Sequence, residues 1–201
     1  MDGSLLYHEG NRELQDAFHS RAIADRLEER TMHTRFTEGD RAFIESAIYF
    51  FLATADAAGQ PDVSFKGGPA GFVRVTGPDE LAFPDYDGNG MFRSLGNLEV
   101  NSKVGMLFIA MHDRPRRLRV SGTARVIRDD PLVSTTVGAQ LIVRVQARAI
   151  FPNCPRYIPS LQLAAESPYV PRAGEDFVEP GWKSDEALCD AVHPRAETYR
   201  G

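Results

Sequence analysis

The sequence predicts a mainly β fold with helices (α+β), its strands forming a barrel or a strongly curled antiparallel sheet. Three observations point there. The apolar period changes near residue 49 from helical to strand-like. Seven short apolar or alternating segments then follow at close spacing, separated by Gly and Pro. Only one segment within that series, at about 90–100, reads as a helix.

Residues 8–48 read as helical. NRELQDAFHSRAIADRLEER sets Leu14, Ala17, Phe18 and Leu27 among charges, a weakly amphipathic pattern that suits a helix lying over a surface. A sharper start follows at Thr37-Glu-Gly-Asp40, where Thr37 caps and Asp40 reaches back. Phe43, Ile44, Ala47 and Ile48 then make an apolar face. IYFFLATAD (48–56) ends in the turn Ala57-Ala-Gly-Gln-Pro61. PDVSFKGG (61–68), GFVRV (71–75) and ELAFPDY (80–86) are three short strand candidates. In the helix at 90–100, Met91, Leu95 and Leu98 are expected to face the sheet, with Arg93 and Asn97 one turn apart on the other side. KVGMLFIAM (103–111) is an unbroken apolar run, as for a strand buried on both faces. RLRVSGTARVI (117–127) alternates, with Leu118, Val120, Ala124 and Val126 inward. LIVRVQARAI (141–150) puts Arg144 and Arg148 on one face.

The balance of 23 Lys and Arg against 28 Asp and Glu gives a net charge of −5, which argues against nucleic acid as a partner; RPRRLR at 114–119 is the one dense basic cluster. With 201 residues, 42% of them hydrophobic, the chain suits one core domain with extensions, at roughly 150 residues per domain. No apolar run approaches the roughly 20 residues that span a bilayer, and MDGSLLYHEGNRELQDAF has no basic-then-apolar leader, so a soluble, cytoplasmic protein is expected. Cys154 and Cys189 lie far apart, and His8, His19, His33, His112 and His193 are scattered, so neither a disulfide framework nor a metal site is expected. After residue 151 the chain turns proline-rich (Pro168, Pro171, Pro180, Pro194) and is expected to wrap over a surface.

Chemistry concentrates in LAFPDYDGNGMFRSLGN (81–97): a strand ends, a Gly-bearing turn follows and a helix begins. A helix start offers unpaired N–H groups and partial positive charge to an anion. Gly88 and Gly90 allow close backbone approach, and Arg93 and Ser94 sit where a guanidinium and a hydroxyl reach phosphate oxygens. The pattern is neither a Walker A loop nor a dinucleotide fingerprint, since Gly-Lys-Ser/Thr and GxGxxG are both absent. The second candidate is SFKGGPAG (64–71), with Lys66 at a strand end and two glycines that leave backbone bare for a flat ligand. A lone strand lysine also serves as an edge device against aggregation.

Taken in order, FLATADAAGQPDVSFKGG, FPDYDGNGMFRSLGNLEVNSKVGMLFI and RPRRLRVSGTARV resemble the FMN-binding split-barrel proteins of the pyridoxamine 5'-phosphate oxidase-like family over about residues 45–150, with FPNCPRYI (151–158) similar to a motif of one bacterial branch. The resemblance implies a six-stranded antiparallel split barrel and a homodimer holding FMN in clefts between subunits. It divides the chain into an N-terminal helical extension (1–44), an FMN-binding domain (45–150) and a C-terminal extension (151–201). By position it assigns Ser64, Phe65, Lys66 and Gly67 to the first cofactor-binding strand, and Tyr86, Asn89, Gly90, Arg93, Ser94 and Asn97 to the ring edge and phosphate. Arg117 and Arg119 are placed at the phosphate or the dimer cleft, and Asn153, Arg156 and Tyr157 where they close the site from the partner. No catalytic side chain is implied, because hydride transfer is flavin chemistry. The function implied is an FMN-dependent oxidoreductase acting on a small molecule, with a nicotinamide or another donor. Its rivals are a binding protein holding flavin, a haem-like or another ligand without turnover, and a deazaflavin-using relative. The arginines at 117, 119, 144 and 148 fit either a basic groove or a polar dimer seam. The tail VPRAGEDFVEPGWKSDEALCDAV departs from the Trp-, Arg- and Leu-rich end of the true pyridoxamine phosphate oxidases, which argues against vitamin B6 oxidation.

Overall fold

The computed structural model describes residues 4–111 and 114–192; His112, His193 and Pro194 lie outside them. The amino-terminal region forms three helices, α1 (Glu9–Ala17), α2 (Arg21–Thr31) and α3 (Glu38–Ser46). The run from 11 to 30 is broken after Ala17, where His19 takes φ 52°. Leu14, Phe18, Ile23 and Leu27 all stay exposed, and α1 and α2 bury no residue. Ion pairs hold this pair together, among them Arg12 with Asp25 across the two helices and Arg21 with Asp16.

Seven strands follow: β1 (Tyr49–Ala55), β2 (Pro61–Gly67), β3 (Arg74–Val75), β4 (Glu80–Tyr86), β5 (Lys103–Ala110), β6 (Arg116–Ile127) and β7 (Ala139–Asn153), with α4 (Arg93–Val100) and α5 (Pro131–Thr135) between them. All pairings are antiparallel, in the order β2-β1-β5-β6-β7-β4-β3. Where the resemblance implies a six-stranded split barrel, the structure has seven strands in one antiparallel sheet that does not close on itself. β3 is shorter than the GFVRV run because a turn closes at Pro69–Phe72, where Gly71 has φ +85°. The sheet nevertheless curls. β1 and β4 stand four places apart in its order, yet the Phe50 and Phe83 rings meet edge-on at 5.0 Å between centroids. Phe108, Leu118, Val120, Val143 and Val145 fill the same core, and α4 adds Leu95 and Leu98.

The alternation of β6 is kept, with Leu118, Val120 and Ala124 buried and Val126 half-buried. β5 differs from its expected burial on both faces. Val104, Met106 and Phe108 enter the core, while Gly105, Leu107 and Ile109 are only half-covered. β7 runs further than 141–150 at both ends and carries a bulge, Gly122 pairing with Ala147 and Ser121 with Ala149. The extra residue is Arg148.

α3 starts at the cap the sequence predicts. Thr37 Oγ1 accepts from the Asp40 amide at 3.1 Å, and Asp40 Oδ2 accepts from the Thr37 amide at 3.0 Å. Asp40 is 4% exposed and also faces His33 Nε2 at 2.7 Å, while His33 pairs its backbone with Ile150. This cluster fastens the helical region to β7. Burial alone would raise the Asp40 carboxyl, but hydrogen bonds from Thr37 and His33 outweigh it and hold the group below its ordinary 3.8. A depressed carboxylate contributes stability that is complete above its unfolded value and lost as pH falls through the folded one. Asp40→Asn is therefore expected to cost about 1–2 kcal/mol at neutral pH, with the gap closing in denaturant titrations as the pH falls below the ordinary carboxylate range. A gap independent of pH would show that Asp40 acts only through its shape.

Candidate functional site

A cleft of about 1040 Å³ opens between β2, the end of β4, the turn after it and the start of α4. β2 is an edge strand, paired only with β1. Its alternation leaves Asp62, Ser64 and Lys66 half-buried on one face, while Val63 and Phe65 are exposed on the other. Ser64, Phe65, Lys66 and Gly67 all border the cleft, the Phe65 ring stacked on Tyr49 at 5.5 Å. The two glycines serve the chain's own rings. A Cβ on Gly67 would lie 2.8 Å from the Phe65 ring, and one on Gly68 would lie 2.6 Å from Phe72.

The other wall is the segment from Pro84 to Leu95. Gly90 takes φ +74° with nothing within 4 Å of where a Cβ would stand, so there the chain needs glycine for its backbone and leaves open space. Asn89 Oδ1 accepts from the Met91 amide at 3.1 Å and shapes the turn. Phe92, the residue before α4, is left-handed at φ 47° and offers the helix no side-chain cap. Such a conformation is costly for a non-glycine residue. It leaves first-turn N–H groups without a capping acceptor beside the cleft. Ser94 is 5% exposed and lines the wall, whereas Arg93 reaches across to β2, its guanidinium 3.4 Å from Asp62 Oδ1. Met91, expected to face the sheet, precedes the helix and is 62% exposed.

Of the predicted residues, Ser64, Phe65, Lys66, Gly67, Tyr86, Asn89, Gly90, Arg93 and Ser94 meet in this cleft. Asn97 does not; its Nδ2 donates to the buried Thr54 Oγ1 at 3.0 Å and fastens α4 to β1. Arg117, Arg119 and Arg156 also lie away from it. Arg117 stands opposite Asn153 in the β6–β7 pairing, and Arg117 Nε and Asn153 Oδ1 are buried with no partner among the described residues. Arg144 is engaged within the chain by Asp130 and Glu80.

Among the lining residues that the sequence does not assign to the site are the polar or aromatic Asp62, Asp85, Asp87, Gln140, Trp182 and Lys183. Gln140 Nε2 donates to Asp85 Oδ2 at 2.9 Å and to the Tyr86 carbonyl at 3.1 Å, bridging a register break between Asp85 and Tyr86. Burial pushes the Asp85 carboxyl above its ordinary range, against the hydrogen bond from Gln140 and the charge of Lys66, while Asp87 adds to the rise. The tail forms the outer side of the cleft with Trp182, Lys183, Leu188, Ala191 and Val192. Lys183 Nζ pairs with Asp87 Oδ2 at 2.5 Å and with Glu179 at 3.3 Å. Asp62 and Asp85 lay in segments already singled out, so a search for carboxylates there finds them. Trp182 and Lys183 carry no local signal, because the Lys183–Asp87 contact spans 96 residues. Chemically, the cleft offers cations and helix-start N–H groups for an anionic end, and Phe72, Pro84 and Leu95 for a flat apolar body.

Residues 36–164 match the family model described as Pyridoxamine 5'-phosphate oxidase. No curated protein matches the chain. Similar solved structures include a putative pyridoxamine 5'-phosphate oxidase from Lactobacillus delbrueckii, 24% identical over 59% of this chain and 95% of that one, with a TM-score of 0.46. HupZ from Group A Streptococcus is 20% identical over 58% of this chain and 93% of its own, at a TM-score of 0.47. An FMN-binding protein from Syntrophomonas wolfei is 12% identical over 71% and 96%, at 0.44.

Proposed function

The chain belongs to the pyridoxamine 5'-phosphate oxidase family, and from that premise we propose that it holds FMN in the cleft and acts as an FMN-dependent oxidoreductase on a small molecule. One observation carries this reading: the uncapped start of α4, the open turn at Gly90 and the cations Lys66 and Arg93 surround a single cleft large enough for a nucleotide-sized ligand. The residues present fit that group. A phosphate dianion needs several donors with cationic help. Arg93, Ser94 and the first-turn amides supply it, with Arg93 exchanging Asp62 for the phosphate. Lys66 and the backbone of β2 would support the ring, and Phe72 and Leu95 would offer its apolar part a dry wall. Bound FMN supplies the hydride and single-electron chemistry, while the protein supplies position and charge.

The reading includes a homodimer. Arg117, Arg119 and Arg156 stand off the chain's own cleft, and the exposed guanidiniums of Arg119 and Arg156 are available to a second copy or a ligand it carries. Light scattering is expected to find two 22.3 kDa chains per particle.

The visible spectrum of freshly purified protein tests the cofactor, and anaerobic addition of reduced nicotinamide tests turnover. A yellow protein that bleaches and is reoxidised by an acceptor supports the enzyme; retained colour without bleaching marks a binding protein instead. Lys66→Ala and Arg93→Ala are each expected to weaken FMN binding by about 1.5–3 kcal/mol, the scale of a charge-assisted hydrogen bond. Unchanged flavin retention in both variants refutes the assignment. No helix among the described residues is long and apolar enough to cross a membrane.

A further inference from the structure

Asp40 and Asp130 are buried and Asp85 is half-buried on the wall of the cleft, and the three are handled differently. Asp40 is paired with His33, and Asp130 with Arg144. Asp85 has neither kind of partner. Its one hydrogen-bond donor among the described residues is the neutral amide of Gln140. Gln140 spends its second N–H on the Tyr86 carbonyl, so the carboxyl is held at the point where β4 breaks register. Bulges of this kind re-aim side chains beside binding sites.

The charges around Asp85 sharpen the point. Lys66 on β2 and Asp87 in the turn line the same cleft and act on its charge in opposite senses. The other cations of the cleft are engaged, Arg93 by Asp62, and Lys183 by Asp87 and Glu179. An ionised Asp85 therefore sets a third carboxylate against any anion entering beside Asp62 and Asp87. A protonated Asp85 removes that repulsion and becomes a donor to an acceptor atom of the ligand.

We propose that Asp85 makes ligand binding in this cleft proton-linked: a flat, anionic ligand binds with Asp85 as the carboxylic acid, and one proton is taken up from solvent as it enters. The balance is carboxylate plus proton plus ligand giving the carboxylic acid–ligand complex, with no bond made in the ligand. The inference rests on the flavin reading above and goes further, naming the residue that couples the cleft to pH and so favours electron-rich ligands. Gln140 is a positioning residue for that carboxyl.

The test is calorimetric titration of the full chain with FMN, repeated at one pH in buffers of different ionisation heat. The wild type is expected to take up about one proton more than Asp85→Asn, whose uptake reduces to that of the FMN phosphate itself. Above the titration of Asp85, wild-type affinity is expected to fall about tenfold per pH unit relative to the variant. Without ligand, Asp85→Asn is expected to melt about 2–4 °C higher than the wild type, the gap opening as pH rises because the folded state no longer holds a disfavoured carboxylate. FMN binding with the same proton uptake in both proteins overturns this inference alone. Failure of both to bind FMN at any pH overturns the flavin reading, and this inference with it.

Discussion

Arg144→Ala is expected to lower the stability of the folded chain by about 3–5 kcal/mol, the cost of leaving a buried charge without its partner. Arg144, on β7, grips Asp130 with two nitrogens, Nε to Oδ2 at 2.5 Å and a terminal nitrogen to Oδ1 at 3.1 Å. Its remaining terminal nitrogen donates to Glu80 on β4 at 2.7 Å. Asp130 is 5% exposed and also caps α5, accepting from the Leu132 amide at 2.9 Å. One planar fork thus joins two strands and a helix start. The hydrogen bond from Arg144 holds the Asp130 carboxyl below its usual range despite its burial, and the pairing in turn raises the guanidinium further. Lysine cannot reproduce the two-pronged grip, so Arg144→Lys is expected to recover only part of the loss. Urea titration decides the matter. A loss under about 1 kcal/mol for Arg144→Ala would mean that water screens the pair as it does at open surfaces.

Gly122→Ala is the second large effect, at about 3 kcal/mol of stability. A Cβ on Gly122 would stand 2.0 Å from the Gln146 carbonyl oxygen and 3.1 Å from the Ala147 Cα. Both obstacles are backbone, so relief requires moving β6 or β7 beside the bulge at Arg148. Gly96 is the internal control. It lies inside α4, and nothing comes within 4 Å of its would-be Cβ, so Gly96→Ala is expected to stabilise by about 0.5–1 kcal/mol. Equal losses at the two positions would contradict the steric account.

The parts of this molecule that were legible in sequence are those set by neighbours in the chain. The cap at Thr37, the alternation of β6 and the strand–turn–helix around Gly90 all follow from local spacing, and the structure has each. The misreadings arise where distant contacts decide. Asn97 carries the right chemistry for a ligand, but Thr54 on β1 claims it. Phe18 has the apolar character of a core residue, yet the break at His19 leaves it 78% exposed. The glycines at 67 and 68 also make room for the Phe65 and Phe72 rings, a demand that no local pattern shows. Asp85 has no local signature, because its surroundings, the Gln140 amide and the charges of Lys66 and Asp87, are brought together only by the folded chain.

The outer side of the cleft has a practical corollary. Trp182 is the only tryptophan in the chain, and its indole stands on that side. Ultraviolet emission excited selectively at long wavelength thus comes from one address in the molecule. No label is needed to follow events there, and any shift in its colour or lifetime reports on the tail and whatever occupies the space beneath it.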